Sequence, residues 1–314
     1  MKKLLILIVF ILAFSPIVFC ITTAENNWTS YTTANFIIKK EKNSNGLSSP
    51  NLSMNLEKIY STLRLNIGWM MNGKITVYIY SSYENYLKGE GENAYGSRAL
   101  AYPLENTIAF YDNKENFTNT KQDIAHEIVH MFTTRYFNPD QDPNLDMPPR
   151  WIDEGMATLL EDSTSSTPEN KVWDNLLLNN NIKSYKDEKK KDKKFTFSFN
   201  KKEEPEEDEN IIYFTKFEDF FAENQNYSLN WYIQAYAIVR YLFNPYDSKI
   251  AKRKVQFEQF CELIKEGRDL EYALRKVYHY RNFNNLEQKF WKWYKKIQSQ
   301  KDKEKKDYDF FLTI

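Results

Sequence analysis

Short segments of alternating and β-branched apolar residues predict strands in the first third of the chain. Residues 36–38 and 74–80 are rich in Ile, Val, Tyr and Phe, and residues 106–111 form a third such segment that ends at Asp112. Between the first two, residues 52–65 carry apolar side chains at helical spacing. Together these segments predict a small α+β lobe.

The second half of the chain has a different pattern. From residue 123 onward apolar positions recur with the helical period, and they predict an α-rich lobe. The fold class expected is therefore α+β, with a small N-terminal lobe containing the strands and a helical lobe after it. The main helices are expected at residues 151–161, 232–243, 255–266, 270–278 and 286–297.

Residues 184–210 interrupt the helical pattern with blocks of lysine and of glutamate on either side of residues 195–199, which alternate like a strand. Blocks of like charge usually stay solvated, so the segment is predicted to be a surface insertion with at most a short hairpin. A charged docking segment is the alternative.

The N-terminus has the pattern of a secretory signal. Lys2 and Lys3 precede an apolar run over residues 4–19, and the small residues Thr22 and Ala24 predict cleavage after residue 24. Export to the periplasm, the cell surface or the medium follows. An uncleaved anchor is the alternative, and lipidation at Cys20 is disfavoured because bulky Phe19 precedes it.

Composition limits which classes of partner the chain can favour and which interactions can stabilise it. Lys plus Arg equals Asp plus Glu, 43 against 43, so no overall field favours nucleic acid. Hydrophobic residues make up 42% of the chain, enough for one large domain or for two lobes. If residues 1–24 are removed, Cys261 is the remaining cysteine of the two, and no internal disulfide can form.

The strongest chemical signal is His126-Glu127-Ile128-Val129-His130. Two histidines four positions apart project from the same face of a helix and can hold one metal ion. Thr120, three positions before Asp123, is expected to cap the helix. The opposite apolar stripe is predicted from Ile124, Ile128, Met131 and Phe132.

A third ligand is expected from a helix over residues 151–161. Glu154 lies 24 positions after His130, and its helix is predicted to begin after Pro149. Gly155 and Ala157 are small enough to let the two metal-binding helices approach each other. An apolar stripe on the opposite face of this helix is expected from Ile152, Met156, Leu159 and Leu160.

These residue types suit one Zn²⁺ ion held by His126, His130 and Glu154, with a position left for water. Glu127 is rotated by about 100° from His126 on the helix and so can act as the general base on that water. The alternative, that these residues lie on a solvated helix face and bind no metal, is less favoured because the chain has only three histidines and two of them are in the motif. The third, His279, is predicted to be packed or solvated near a helix end.

On these residues the chain resembles the peptidase MA-like family, a branch of the gluzincin zinc peptidases. The similarity rests on residues 126–130 and 149–157, more softly on 232–242, and covers most of the chain after residue 24 except residues 184–210. It implies a mixed-sheet lobe over a helical lobe, with residues 106–111 as the edge strand beside the cleft. A peptide or protein substrate would pair with that edge through its main chain.

The pattern along the chain gives a domain plan, and the resemblance implies further site residues. The plan is a lobe over 25–119, zinc-binding helices over 120–183, a helical lobe over 211–300 and a tail over 301–314. Tyr232 is the candidate hydrogen-bond donor to the transition state, and Tyr236 competes with it. Many gluzincins carry an acidic residue where this chain has Thr158, so Asp153, Glu161 or a backbone carbonyl would have to brace a ligating histidine.

The function expected is an exported zinc metallopeptidase that hydrolyses peptide bonds. A non-catalytic, zinc-stabilised binding or scaffold protein is the alternative, and a membrane-tethered partner protein that uses the charged insertion is a third. The presence of Glu127 favours the enzyme, because metal binding alone has no use for a general base. Membrane contact is expected only through an uncleaved signal or a lipid at Cys20.

Overall fold

A computed structural model describes residues 24–25, 27–42, 49–112, 117–145, 148–164, 171–185, 211–222, 228–243 and 250–312. The chain divides into two compact units, Met1–Leu145 and Asp146–Ile314. The predicted signal up to residue 23, Cys20 and residues 186–210 of the charged insertion lie outside the described residues. Within the described part, no helix combines the length and apolarity needed to cross a membrane.

The first unit contains a six-stranded mixed sheet, and the mixed α+β class predicted from the sequence is observed. The strand order is β1-β2-β3-β4-β6-β5. Strands β3, β4 and β6 are parallel to one another, whereas β1, β2 and β5 pair antiparallel with their neighbours. The strands are β1 (Ala24–Glu25), β2 (Trp28–Thr32), β3 (Phe36–Glu41), β4 (Ile75–Tyr80), β5 (Ala99–Tyr102) and β6 (Thr107–Tyr111). The helices are α1 (Ser49–Ile67), α2 (Tyr83–Glu90) and α3 (Phe117–Phe137).

The period-two pattern explains the core of this unit. Ile75, Val77 and Ile79 of β4 are fully buried on one face, as expected for a strand whose side chains alternate between two faces. The predictions of a helix at 52–65 and of strands at 36–38, 74–80 and 106–111 are confirmed. The four-residue strand β5 was not predicted, because four residues give too little alternation to separate a strand from a loop.

One expectation about the sheet is wrong. Residues 106–111 were expected to form its edge, but β6 pairs on one side with β4 and on the other with β5. Among the described strands β5 is therefore the edge on that side. Apolar patterning identifies a strand but does not specify its neighbours, which depend on pairing between segments distant in the chain.

The second unit is mainly helical. The predicted helices are present with small shifts of their ends, and the last one continues to Leu312, through most of the segment assigned to a tail. Strands β7 (Asn181–Ser184) and β8 (Ile211–Phe214) form a separate parallel pair. The helices are α4 (Arg150–Ser163), α5 (Val172–Asn179), α6 (Phe217–Ala222), α7 (Leu229–Phe243), α8 (Ile250–Lys265), α9 (Leu270–Tyr278) and α10 (Phe283–Leu312).

Helix α4 is enclosed more completely than its apolar stripe predicts, because every residue from Trp151 to Asp162 is buried. Gly155 explains how another helix approaches it. A Cβ atom added at Gly155 would lie 2.5 Å from Cγ2 of Val239 and 2.7 Å from the carbonyl oxygen of Ala235, both on α7. The close contact observed at this glycine is therefore with α7.

The substitution Gly155→Ala is expected to destabilise the protein by about 1–3 kcal/mol, the usual effect of overpacking a core. Helix propensity alone predicts the opposite sign, a gain of about 1 kcal/mol for Ala over Gly. Chemical denaturation of the variant and the unaltered protein measures the difference. Unchanged or increased stability would contradict the tight contact between α4 and α7.

Candidate metal centre

The helix that carries both histidines is α3. Its apolar stripe, Ile124, Ile128, Met131 and Phe132, is buried as predicted, whereas His126 and Glu127 are half-buried. The predicted cap at Thr120 is wrong, because α3 already begins at Phe117 and Thr120 lies inside it. Helical periodicity identified the buried face, but a cap is a local feature that a polar residue within the first turns can imitate.

The two imidazoles are neighbours. The ring centroids of His126 and His130 are 4.8 Å apart, and the ring planes are inclined by 77°. This proximity follows from a separation of four residues, which places two side chains one above the other on a helix. Nδ1 of His130 is buried. The pair can therefore present two nitrogen ligands to one ion.

Glu154 lies one turn into α4 and is only 3% exposed. A buried carboxylate is unfavourable unless charge or hydrogen bonds compensate for its lost hydration. Oε1 of Glu154 is 2.7 Å from Nη2 of Arg150, four residues earlier on the same helix. Glu154 is thus a shielded carboxylate with a cation at one of its two oxygens.

His126, His130 and Glu154 form a group that could hold a metal ion. One ligand atom from each residue lies within 4.8 Å of the others. Atoms bound tetrahedrally to zinc at about 2.0–2.1 Å are separated by about 3.4 Å, a spacing that falls within this limit. Two neutral imidazoles and one carboxylate are a donor set that zinc accepts, and this chemistry fits the ion predicted from the sequence.

Glu127 is a neighbour of a buried tyrosine. Burial, and to a smaller extent the charges of Glu127 and Glu90, raises the pKa of Tyr86 above its ordinary value. The Ser97 hydroxyl donates to the carbonyl oxygen of Ala94 at 3.0 Å, so the Tyr86 hydroxyl donates to Ser97, at 2.8 Å. Tyr86 is therefore neutral, and the Glu127 carboxylate is one of the charged groups near it.

Thr158 does not take the place of the acidic residue found in many gluzincins. Its hydroxyl donates to the carbonyl oxygen of Glu154 at 2.7 Å, within its own helix. Of the possible substitutes, Glu161 accepts a hydrogen bond from Nε1 of Trp173 at 2.9 Å. Asp153 is buried, and its role as a brace for a histidine stays a prediction.

A buried polar cluster follows two turns after Glu154 on α4. Asp162 accepts hydrogen bonds from the backbone N–H groups of Trp173 at 3.3 Å and Asp174 at 2.7 Å. Burial raises the pKa of Asp162 to about 7, although those two hydrogen bonds act in the opposite direction. Asp174 in turn pairs with Arg240 of α7. These contacts join α4, α5 and α7 in the second unit.

Tyr236 belongs to the same cluster, and this position helps to decide whether Tyr232 or Tyr236 is the better candidate for the transition-state donor. Its hydroxyl donates to Oδ1 of Asp174 at 3.1 Å, and its side chain is fully buried. Tyr232, one turn earlier on α7, is half-buried, and its ring centroid is 6.2 Å from that of Trp173. Tyr236 is thus engaged in packing, and Tyr232 is the more exposed of the two candidates for a transition-state donor.

Sequence reasoning missed Arg150, which contacts a predicted ligand. A signal was present, because a cation in the first turn of a helix is unfavourably placed relative to the helix dipole. His279 behaves as expected for a residue at a helix end: it is exposed and terminates α9 in the left-handed conformation, with φ of 60°. Cys261 is a free, buried cysteine, and burial raises the pKa of its thiol well above the usual value.

No protein-family model matches the chain, and no match was found among curated proteins.

Proposed function

We propose that this chain is an exported zinc metallopeptidase of the gluzincin type, related to the peptidase MA-like family. The observation that supports it most directly is the proximity of ligand atoms from His126, His130 and Glu154, with Glu127 next to the first histidine on the same helix. A structural zinc site usually has four protein ligands, whereas three ligands beside a carboxylate are typical of a hydrolytic site. His126, His130 and Glu154 would hold one Zn²⁺.

Each residue of the proposed site would have a separate role in hydrolysis. When bound, zinc would lower the pKa of a water molecule toward about 7 and polarise the carbonyl of the peptide bond. Glu127 would accept a proton from the water as the water oxygen attacks the carbonyl carbon. It would then deliver that proton to the departing amide nitrogen as the C–N bond breaks. Tyr232 would donate a hydrogen bond to the carbonyl oxygen as negative charge develops there.

The proposed substrate is an extended peptide bound along β5. This strand is paired with β6 on one side and lies at the edge of the sheet among the described strands. It also packs against α3, the helix that carries Glu127. A peptide added to an edge strand is held by main-chain hydrogen bonds, a mode that tolerates many side chains. We therefore propose β5, and not β6, as the strand that binds substrate.

Purified protein lacking residues 1–24 is expected to contain one zinc per chain after weakly bound metal is removed. Binding should be lost at acidic pH, because protonated imidazole cannot ligate a metal, and should return on adding zinc at neutral pH. Elemental analysis with protein quantification measures the ratio. A zinc content well below one that added zinc does not restore would refute the site.

Hydrolysis is tested separately with a broad library of unstructured peptides. Cleavage that depends on the bound zinc supports the peptidase. One zinc per chain without cleavage of any peptide would instead favour the non-catalytic, zinc-stabilised binding protein.

A further inference from the structure

Strand β5, the strand proposed to bind substrate, is attached to helix α3 at the end where the strand begins. Arg98 immediately precedes β5, and its Nη2 lies 2.7 Å from Oδ1 of Asp123 on α3. The Asp123 side chain is 15% exposed, so this carboxylate is more shielded from water than those of ordinary surface ion pairs. The contact joins the start of β5 to the helix that carries Glu127.

The other end of β5 is attached to the C-terminal end of the same helix. Gln141, which follows α3, donates from Nε2 to the carbonyl oxygens of Pro103 at 3.3 Å and Leu104 at 2.8 Å, in the turn after β5. Nη2 of Arg135, in the last turn of α3, donates to Oδ1 of Asn106 at 2.5 Å. Asn106 ends that turn with φ of 52°, a left-handed conformation that few residues other than glycine adopt. These hydrogen bonds fix the turn after β5 to the end of α3.

The two attachments enclose the part of α3 that carries the proposed general base. Glu127 is four residues after Asp123 and eight residues before Arg135. Its carboxylate is one of the charges that act on Tyr86, and the Tyr86 hydroxyl is 2.8 Å from that of Ser97. Ser97 lies two residues before β5, so these contacts place Glu127 in the neighbourhood of the start of the strand.

The position of β5 along α3 matters for a peptide held by main-chain hydrogen bonds. Such bonds fix the carbonyl groups of the peptide relative to β5, and not relative to the helix. A reacting carbonyl carbon has to lie about 3–3.5 Å from the attacking atom, and a displacement of about 1 Å can lower the rate about 10²-fold. A strand attached at both ends resists sliding, whereas a strand attached at one end can pivot.

We propose that Arg98 and Arg135 are positioning residues that fix the peptide-binding strand β5 along α3, so that a peptide paired with β5 presents its carbonyl group to Glu127. The inference rests on the peptide-binding mode of the proposed function. In this role the two arginines act through the position of β5. All the contacts that support it lie within the first unit, Met1–Leu145.

The first test measures kcat and KM of Arg98→Gln and Arg135→Gln at equal zinc occupancy, with unstructured peptides that the unaltered protein cleaves. Because the reacting groups would be displaced, kcat should fall by up to about 10²-fold, whereas KM, which reports pairing along β5, should change less. Arg98→Lys and Arg135→Lys keep the charge and a donor and should recover part of the loss. Each assay is run well below the melting temperature of the variant.

The second test does not depend on cleavage. Amide hydrogen exchange of residues 99–102 is measured in zinc-loaded Glu127→Gln, with and without unstructured peptides. Peptide should slow this exchange, because pairing places outward-facing amides of β5 in hydrogen bonds. When Arg98→Gln or Arg135→Gln is added, the protection given by peptide should decrease.

Lys88→Gln is the control for loss of a positive charge in the same unit. It removes a cation from an exposed pair with Glu84, also at 2.7 Å, on α2. Exposed pairs of this kind contribute little, so melting temperature, kcat and the protection of β5 by peptide should all stay unchanged.

Glu57→Gln is the control for loss of stability. Glu57 on α1 accepts hydrogen bonds from the Thr33 hydroxyl at 2.5 Å and from the backbone N–H of Asn35 at 2.8 Å, in the turn between β2 and β3. This variant should lower the melting temperature and leave kcat of the folded protein unchanged. Arg98→Gln and Arg135→Gln should lower both, because each also leaves a partly shielded acceptor without its donor.

The outcomes distinguish the positioning role from the proposed function. Unchanged kcat in Arg98→Gln and Arg135→Gln, with peptides still cleaved, would overturn the positioning role and leave the peptidase standing. Peptides that protect β5 without being cleaved, with weaker protection in the two variants, would support the positioning role and refute the peptidase. Peptides that neither protect β5 nor are cleaved would overturn both.

Discussion

The substitution Glu127→Gln should leave one zinc per chain and reduce peptide hydrolysis by at least about 10²- to 10⁴-fold, the usual contribution of a general base. Gln has nearly the size of Glu and can hydrogen-bond, but it cannot accept a proton from the attacking water. His126, His130 and Glu154 stay in place as ligands, so metal content and melting temperature should change little. The contrast isolates the chemical step from metal binding.

The measurement compares initial rates of cleavage at equal zinc occupancy, because any loss of metal would imitate a loss of catalysis. Folding is followed by melting temperature in the same samples. If Glu127→Gln cleaves the peptides as fast as the unaltered protein, Glu127 is not the general base and the mechanism proposed above is wrong.

The substitution His126→Ala is expected to abolish both zinc binding and hydrolysis. One imidazole and one carboxylate remain, and two protein ligands do not compete well for zinc. Because the ring of His126 lies 4.8 Å from that of His130, its removal also leaves a gap that no other histidine on α3 can fill. Elemental analysis and the peptide assay measure the two losses.

The matched control is His279→Asn, which removes the one histidine outside the predicted motif. His279 is exposed and has a positive φ at the end of α9, a conformation that Asn tolerates. Zinc content, activity and stability should all stay close to those of the unaltered protein. Zinc loss in this control, or retention of full zinc in His126→Ala, would contradict the assignment of ligands.

The candidate site was largely predictable because its signals are local. Spacing of four residues puts His126 and His130 on one face of a helix regardless of what surrounds it, and their rings are neighbours in the structure. The burial of Ile128 and Phe132 follows from the same periodicity. Glu154 was found because Pro149 and the apolar pattern after it predict a second helix, whose bounds are Arg150–Ser163.

Other features escaped because their signals are absent or ambiguous in a short window. Thr120 has the chemistry of a cap, yet α3 begins three residues earlier at Phe117. Strand β5 spans only Ala99–Tyr102, too short for alternation to distinguish it from a loop. Arg150 occurs in the motif that supports the family resemblance, but its contact with Glu154 became evident only from the distance between their charged atoms.

The sequence by itself determined the class of most elements, the buried face of α3 and the residues proposed to bind metal, because these depend on spacing along a regular backbone. The tertiary structure decided that β5, and not β6, lies at one edge of the sheet among the described strands, since pairing brings together segments as distant as β4 and β6. It also decided that α7 is the helix that packs against Gly155. A glycine in the sequence indicates that another element can approach closely, but it does not identify that element. Contacts between distant segments depend on packing of the whole chain, which no local pattern encodes.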